Sequence, residues 1–422
     1  MRILQLSWEY PPLVYGGLGR HVHALAEAQA AAGHEVSVLT QHVEGAAYDE
    51  VVRGVRVVRV PYDPPLIPRD DLLAWVSGLN HPIARAGLRL ADELLPQVVH
   101  AHDWLMCQAG TTLKEALDLP LVATMHATEA GRHQGWLPGP LSKAIHTTEW
   151  WLTFEARRVI TCSQHMSDEV VRLFDLPPDK VDVVPGGIDL DRWSVPAERV
   201  RAARDRFAGA GPLIVFAGRL EWEKGVHTLL DAMPRLRRRF PGVRLVIAGQ
   251  GTHADDLRAL AVRRRLGRSV QWAGFLAEDE LAALAAAADC ALIPSIYEPF
   301  GLVALEAAAA GTPLVVADTG GLREFVEHGV TGLRFAAGDV AALADAITAV
   351  LSDELLARRL SRSARQVLQR DYAWSGIAER TTKIYEQAVR EEWALQAGLS
   401  ARAERPLRVV LREGNQFTGQ LS

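Results

Sequence analysis

The chain has 422 residues, of which 49% are hydrophobic and 23% charged. That balance is ordinary for globular chains and excludes a disordered, collagenous or fibrous protein, and at about 150 residues per domain the length predicts two or three domains. A formal charge of −5, from 46 Lys+Arg against 51 Asp+Glu, gives no positive excess to draw the chain onto nucleic-acid phosphates.

From the N-terminus, Met1–Glu9 is apolar only in short pieces broken at Gln5 and Glu9, so no signal peptide is expected. No later run reaches the roughly 18 apolar residues of a membrane span. Cys107, Cys162 and Cys290 lie far apart with no paired spacing, which fits a reducing compartment. A cytoplasmic protein is expected. Short runs rich in Val, Ile and Leu then predict strands at Ile3–Ser7, Glu35–Leu39, Val98–Ala101, Leu121–Met125, Val159–Cys162 and Val181–Val184. A second series follows at Leu213–Ala217, Arg244–Ala248, Val270–Ala273, Ala291–Pro294 and Leu314–Val316. The runs are continuously apolar, as in parallel strands covered on both faces, and segments of helical period separate them. The class is α/β, built of βαβ units, with two sheets of about six strands each. The break between halves falls around Pro185–Pro196. Residues 1–200 hold 17 Lys+Arg against 25 Asp+Glu, a net −8, and the remainder is +3, so the second half is the better holder of a phosphorylated ligand. Past Gln387 the pattern fades, apart from a strand-like piece at Leu407–Leu411.

Three clusters follow strands and open helices. Glu9-Tyr10-Pro11-Pro12-Leu13-Val14-Tyr15-Gly16-Gly17-Leu18-Gly19-Arg20-His21 offers glycine amides and a helix N-terminus to a phosphate, although Val22 stands where a dinucleotide fingerprint has its third glycine. A purely structural turn is the alternative. Gly218-Arg219-Leu220-Glu221-Trp222-Glu223-Lys224-Gly225 places two cations at the carboxyl edge of a sheet, where open α/β sheets bind ligands. Its alternative is that Glu221 and Glu223 neutralise them in solvated pairs. Tyr297-Glu298-Pro299-Phe300-Gly301-Leu302-Val303-Ala304-Leu305-Glu306 predicts a helix starting at Pro299, with the Gly301 and Leu302 amides facing an anion. Glu298 precedes it, and Glu306 lies two turns in, about 10 Å along the axis. Carboxylates so spaced suit two separate sets of hydroxyls, and a buried Glu306 requires a partner.

Between the first two clusters, His100 and His102 share one face of a strand ending at Asp103, and His126 ends the next strand. A zinc site lacks further ligands at recognisable spacing, so no metal is expected. The arginine clusters Arg235–Arg239 and Arg263–Arg265 read as solvated helix faces, without the interleaved aromatics of a nucleic-acid surface.

In this order the clusters resemble the retaining, GT-B-fold nucleotide-sugar transferases of glycosyltransferase family 4, over about residues 1–390. The specific elements are the E-x7-E pair Glu298–Glu306 and the basic turn Arg219–Gly225. Within the family, Ser7–Pro12, Gly16–Leu18, His100–Trp104 and Tyr297–Leu302 are similar to the α-1,4-glucan synthesising branch of bacterial glycogen synthases. The stretch His126–Trp136 looks like actinobacterial α-1,4-glucosyltransferases of glycogen and methylglucose lipopolysaccharide. Where the starch-synthase pattern opens its loop with Lys-x-Gly-Gly-Leu, this chain has Val14-Tyr15-Gly16-Gly17-Leu18 and lacks the lysine.

The resemblance implies two Rossmann-like domains, residues 1–193 on the acceptor side and 194–372 holding the donor. A helix over 373–390 crosses back to the first domain, and 391–422 is a tail without an assigned role. The donor is ADP-glucose or UDP-glucose, with no other cofactor. The acceptor is an α-glucan, a maltooligosaccharide or glucose 1-phosphate. Arg219 and Lys224 steady the departing diphosphate with the amides of Gly16, Gly17, Gly301 and Leu302. Glu298 holds the donor sugar and Glu306 the ribose. Phe300 lines the donor site, Gly249, Gly274 and Phe275 lie near the base, and His126 and Asp103 reach the sugar or acceptor. A mannosyl or other hexosyl transferase, a maltose 1-phosphate synthase and a non-catalytic sugar-binding protein are the competing expectations. A phosphorylase with a pyridoxal phosphate lysine has no positive sign.

Overall fold

A computed structural model describes residues 1–61, 71–209 and 211–403. Strands β1 (Arg2–Leu6), β2 (Glu35–Gln41), β3 (Asp49–Val52), β4 (Val55–Val60), β5 (Val98–His102), β6 (Leu121–Met125), β7 (Arg158–Thr161) and β8 (Val181–Val183) form the first sheet, in the order β3-β4-β2-β1-β5-β6-β7-β8. Strands β9 (Leu213–Ala217), β10 (Arg244–Ala248), β11 (Val270–Gly274), β12 (Cys290–Ile293), β13 (Leu314–Ala317) and β14 (Leu333–Phe335) form the second, in the order β11-β10-β9-β12-β13-β14. Every pairing is parallel except β3 with β4.

Eight and six strands stand where about six each were expected. The missed hairpin β3–β4 turns at Arg53 and Gly54, both at positive φ (46° and 82°), the two-residue turn that matches the twist of paired strands. β14 is three residues long, too short to carry a pattern.

In both sheets the strand order reverses, beside β1 in the first and beside β9 in the second. At such a point the loops leaving neighbouring strands diverge and open a crevice at the carboxyl edge. Loops following β1, β5 and β6 form that edge in the first domain, and loops following β9 and β12 form it in the second.

The helix Ala197–Phe207 packs on Glu278–Ala287 of the second domain, on the far side of the Pro185–Pro196 break. Ile188 bridges to Ala373, and the last helix, Trp374–Ala403, returns to the first domain. Ile377, Ile384, Tyr385 and Ala388 join Ile3, Val22, Leu25 and Val36 in one apolar cluster under the first sheet. This helix runs well past residue 390, so the beginning of the expected tail is helical. Gln396 donates to Asp118 and Glu392 pairs with Arg157, ties that favour its continuation. Leu407–Leu411 lies outside the described residues.

Candidate active site

The loop after β1 is organised by Glu9, which is 3% exposed. Its Oε2 accepts the N–H of Tyr15 at 2.5 Å and of Gly16 at 3.2 Å. A Cβ on Gly19 would come within 3.0 Å of the same carboxylate, so glycine there admits it. Burial pushes the Glu9 carboxyl up, and the backbone N–H groups and Arg20 draw it back. The Gly16 amide, expected beside a phosphate, here serves an internal carboxylate. Gly17 faces the other domain, where a Cβ would meet Leu302 Cδ1 at 3.0 Å.

One turn into the same helix, Gly17–Ala31, Arg20 reaches across and pairs with Glu306 of the second domain. This is the partner a buried Glu306 required, and sequence reasoning did not name it. Burial raises the Glu306 carboxyl, Arg20 lowers it, and Oε2 has no protein partner. The helix bearing Glu306 spans Leu302–Ala309, capped by Gly301 at φ 101°. Pro299 therefore lies three residues before the helix, not inside it, and Glu306 stands about one turn in rather than two.

In the second domain, Gly225 takes φ 67°, and a Cβ there would lie 1.9 Å from the Pro294 carbonyl oxygen. That close approach sets the basic turn against the loop after β12. The Glu223 carbonyl accepts the Ile296 N–H at 2.7 Å. Lys224 Nζ then lies 2.8 Å from Glu298 Oε2, which also accepts from Ser295 Oγ at 3.0 Å. Arg219 is half exposed and meets Glu223 at 3.1 Å, the solvated pair of the alternative reading. Glu221 turns elsewhere, to the Thr252 N–H at 3.0 Å. Lys224 and Glu298 are thus brought together, with Arg219 on the same turn.

Phe300 departs from expectation. Its ring is buried, beside Tyr372 at 6.2 Å between centroids and against Gly186, where a Cβ would meet it at 3.0 Å. It packs the loop rather than lining an open site. Gly218, Gly249 and Gly274 lie side by side at the carboxyl ends of β9, β10 and β11. The Gly249 N–H donates to the Gly274 carbonyl at 2.7 Å, and a Cβ on Gly249 would fall 1.8 Å from the Gly218 oxygen. Phe275 beside them is 68% exposed.

On the first domain, His126 is partly exposed at the end of β6, its Nε2 3.3 Å from His102 Nδ1 and its ring 5.1 Å from that of His21. Burial, then the neighbouring imidazoles, hold His126 well below its ordinary pKa, so it is neutral near pH 7. His100 is a core histidine, bonded at 2.7 Å to Tyr385 Oη and to Thr124 Oγ1. Asp103, at φ 69° and 3% exposed, caps the Trp104 N–H at 2.9 Å. Its carboxyl is raised by burial and drawn back by Arg132. Among the described residues no group of three or more His, Cys, Asp or Glu is arranged to hold a metal ion. Arg235 and Arg264 pair with Asp345 and Asp231 on exposed helix faces, as expected of those clusters.

Two open, almost wholly parallel sheets, with basic and acidic side chains meeting at their carboxyl edges, are the arrangement of the GT-B sugar transferases, and the chain's similarity to known proteins places it among them. Residues 15–192 match the family described as Glycosyltransferase Family 4, and residues 202–367 the one described as Glycosyl transferases group 1. The chain is 47% identical over 405 residues to a glycogen synthase of Mycobacterium tuberculosis, covering 93% of this chain and 96% of that one. An alpha-maltose-1-phosphate synthase of the same species is 32% identical, covering 91% and 99%. A sucrose-phosphate synthase structure from Thermosynechococcus elongatus superposes with a TM-score of 0.79 at 26% identity, covering 91% and 98%. The chain belongs to glycosyltransferase family 4 and is a hexosyltransferase.

Proposed function

We propose that this protein transfers glucose, with retention, from ADP-glucose or UDP-glucose to the non-reducing end of an α-1,4-glucan or maltooligosaccharide. The observation that carries the reading is the meeting of Lys224 with Glu298, Arg219 on the same turn, at the carboxyl edge of the second sheet. The identity to a glycogen synthase, higher than that to the maltose-1-phosphate synthase, favours a polymer over glucose 1-phosphate as acceptor.

The donor diphosphate sits between Arg219 and Lys224, with the amides of Gly17, Gly301 and Leu302 toward it. Lys224 then turns from Glu298 to phosphate oxygen, which frees Glu298 for the sugar hydroxyls. Glu306 Oε2, buried without a protein partner, takes a ribose hydroxyl. Gly249, Gly274 and the exposed Phe275 border the base. Neutral His126 meets the donor sugar, and Asp103, with the Arg132 charge near it, stands at the same edge toward the sugar or acceptor. Charge builds on the leaving phosphate as the bond from C1 to its oxygen breaks, and preorganised cations stabilise that charge. The acceptor oxygen bonds to C1 on the same face and passes its proton to the departing phosphate. Arg219 and Lys224 do the neutralising that a metal ion would otherwise do. The setting is the cytoplasm.

Nucleotide release from ADP-glucose and UDP-glucose, each offered glycogen, maltohexaose or glucose 1-phosphate, tests this. Release dependent on glycogen or maltohexaose is expected, with EDTA leaving it unchanged. Release with glucose 1-phosphate alone would overturn the polymer assignment, and donor binding without release would point to a sugar-binding protein.

A further inference from the structure

Helix Gln164–Phe174 of the first domain is engaged three times by the second domain. The N–H groups of Gln164 and His165 donate to the Glu324 carboxylate at 3.0 Å each, so the other domain supplies the negative charge that a helix N-terminus favours. Ser163, the cap of this helix, accepts from the Met166 N–H at 3.1 Å and donates through Oγ to the Pro299 carbonyl at 2.6 Å. Two turns on, Glu169 Oε1 accepts from the Tyr297 hydroxyl at 2.9 Å and from the Thr128 hydroxyl at 2.5 Å. The Tyr297 oxygen in turn accepts the Thr128 N–H at 3.3 Å.

The phenol is therefore used both as donor and as acceptor, and its residue is 7% exposed. A backbone without a side chain admits it. A Cβ on Gly131 would lie 2.4 Å from Tyr297 Oη and 2.6 Å from Glu169 Oε1. Burial first, and the Glu169 charge next, hold the phenol well above its ordinary pKa, so the donated proton persists across the working pH range. Tyr297 is the residue before Glu298, and Thr128 follows His126 by two.

We infer that Tyr297 is a positioning residue, an interdomain latch whose hydroxyl, seated between the Thr128 N–H and the Glu169 carboxylate, fixes the Glu298 loop against the His126 segment. The latch rests on the roles given above to Glu298 and His126. When it is closed, Glu298 and His126, which hold the donor sugar from the two domains, stand at one separation. When it is open, donor still binds the second domain, but the two halves of the site are out of register. Small misplacements of reacting groups lower turnover far more than they lower binding.

The test is Tyr297→Phe, which removes one oxygen and keeps the ring. Hydrogen exchange at the Thr128 and Gly131 amides is expected to quicken at least about tenfold, as in local opening. The kcat for nucleotide release should fall about tenfold with donor KM within about twofold, the signature of lost alignment. Glu169→Gln should show the same loss, and the double variant should be little worse than either single one. Gly131→Ala keeps every hydrogen-bonding group but fills the phenol's seat, and is expected to reproduce both readouts. Unchanged exchange, a kcat within about twofold of the parent, or losses that multiply in the double variant would overturn the latch. If the parent releases no nucleotide with any acceptor, the functional reading fails, and the exchange measurements still decide the latch.

Discussion

Lys224 pairs with Glu298 of the loop after β12, 2.8 Å away. In the proposed reaction the ammonium leaves this carboxylate for the phosphate, where the developing charge is stabilised by a cation already held in the site. Lys224→Ala and Arg219→Ala should each lower kcat by about 10²–10³, the usual cost of removing one donor to a developing anion. Steady-state nucleotide release measures this, and turnover within a few-fold of the parent would contradict the assigned roles. A different carboxyl, Glu149, is fully buried with Oε1 on the Glu129 N–H at 2.8 Å and Oε2 without a hydrogen bond, His146 Nδ1 lying 3.8 Å away. Burial, reinforced by the Asp103 charge, pushes its pKa up to about 9. The folded state therefore holds a proton that the unfolded chain releases near its ordinary carboxyl pKa. Its stabilising contribution is complete below that value and is lost as pH rises toward 9. Glu149→Gln should gain stability relative to the parent between pH 5 and pH 8, by up to about 1.4 kcal/mol per pH unit. Urea unfolding at several pH values reads the difference, and a pH-independent gap would contradict it.

Among the elements, the last helix shows how a distant segment sets the site. Tyr385, fully buried, bonds His100 Nδ1 of β5, the strand that leads into Asp103. Tyr385→Phe leaves that ring nitrogen unpaired in the core and should cost about 1–3 kcal/mol in urea unfolding. Loss of well under 1 kcal/mol would mean that the bond is replaced. The parallel strands were legible because their apolar runs are continuous, and the switch points follow from the order of those runs. β3 and β4 were not, since exposed Val51 and Val52 break the pattern of a covered strand, although Arg53-Gly54 between two valine runs was an available hairpin signal. The motif residues Lys224, Glu298, Gly301 and Glu306 were visible as a spacing. Their partners were not. Arg20 lies 286 positions from Glu306 and Glu169 lies 128 from Tyr297, so only the fold brings them together. Phe300 misled because an aromatic in a site loop reads as a ligand contact when its neighbours Gly186 and Tyr372 are distant in sequence. The Glu9 bond to Gly16 was not legible either, because a glycine amide after a strand suits a phosphate and an internal carboxylate equally.

At the scale of the whole molecule, Arg20–Glu306, Glu324 at the helix Gln164–Phe174 and the Tyr297 seat join the two domains across the cleft. Two halves of a site on separate sheets can be brought together or parted by rigid-body motion, and closure excludes water from a reactive sugar. Glu324→Ala removes the charge capping that helix without touching a group assigned to substrate. It should enlarge the radius of gyration of the ligand-free protein in small-angle scattering, with saturating nucleotide restoring the compact value. An unchanged radius in both states would mean that this contact does not hold the domains. Nucleotide at about 100 times its Kd should also stabilise the fold by about 2.7 kcal/mol, by mass action alone.

In the function proposed above, this cleft lengthens an α-1,4-glucan with retention of configuration. The most direct measurement is nuclear magnetic resonance of the product formed from maltohexaose and a nucleoside-diphosphate glucose labelled with ¹³C at C1. The label is expected in a new α-1,4-linked terminal glucose. A β-linked product, a label found only in free glucose, or a label carried only on a phosphorylated disaccharide when glucose 1-phosphate is supplied would contradict it.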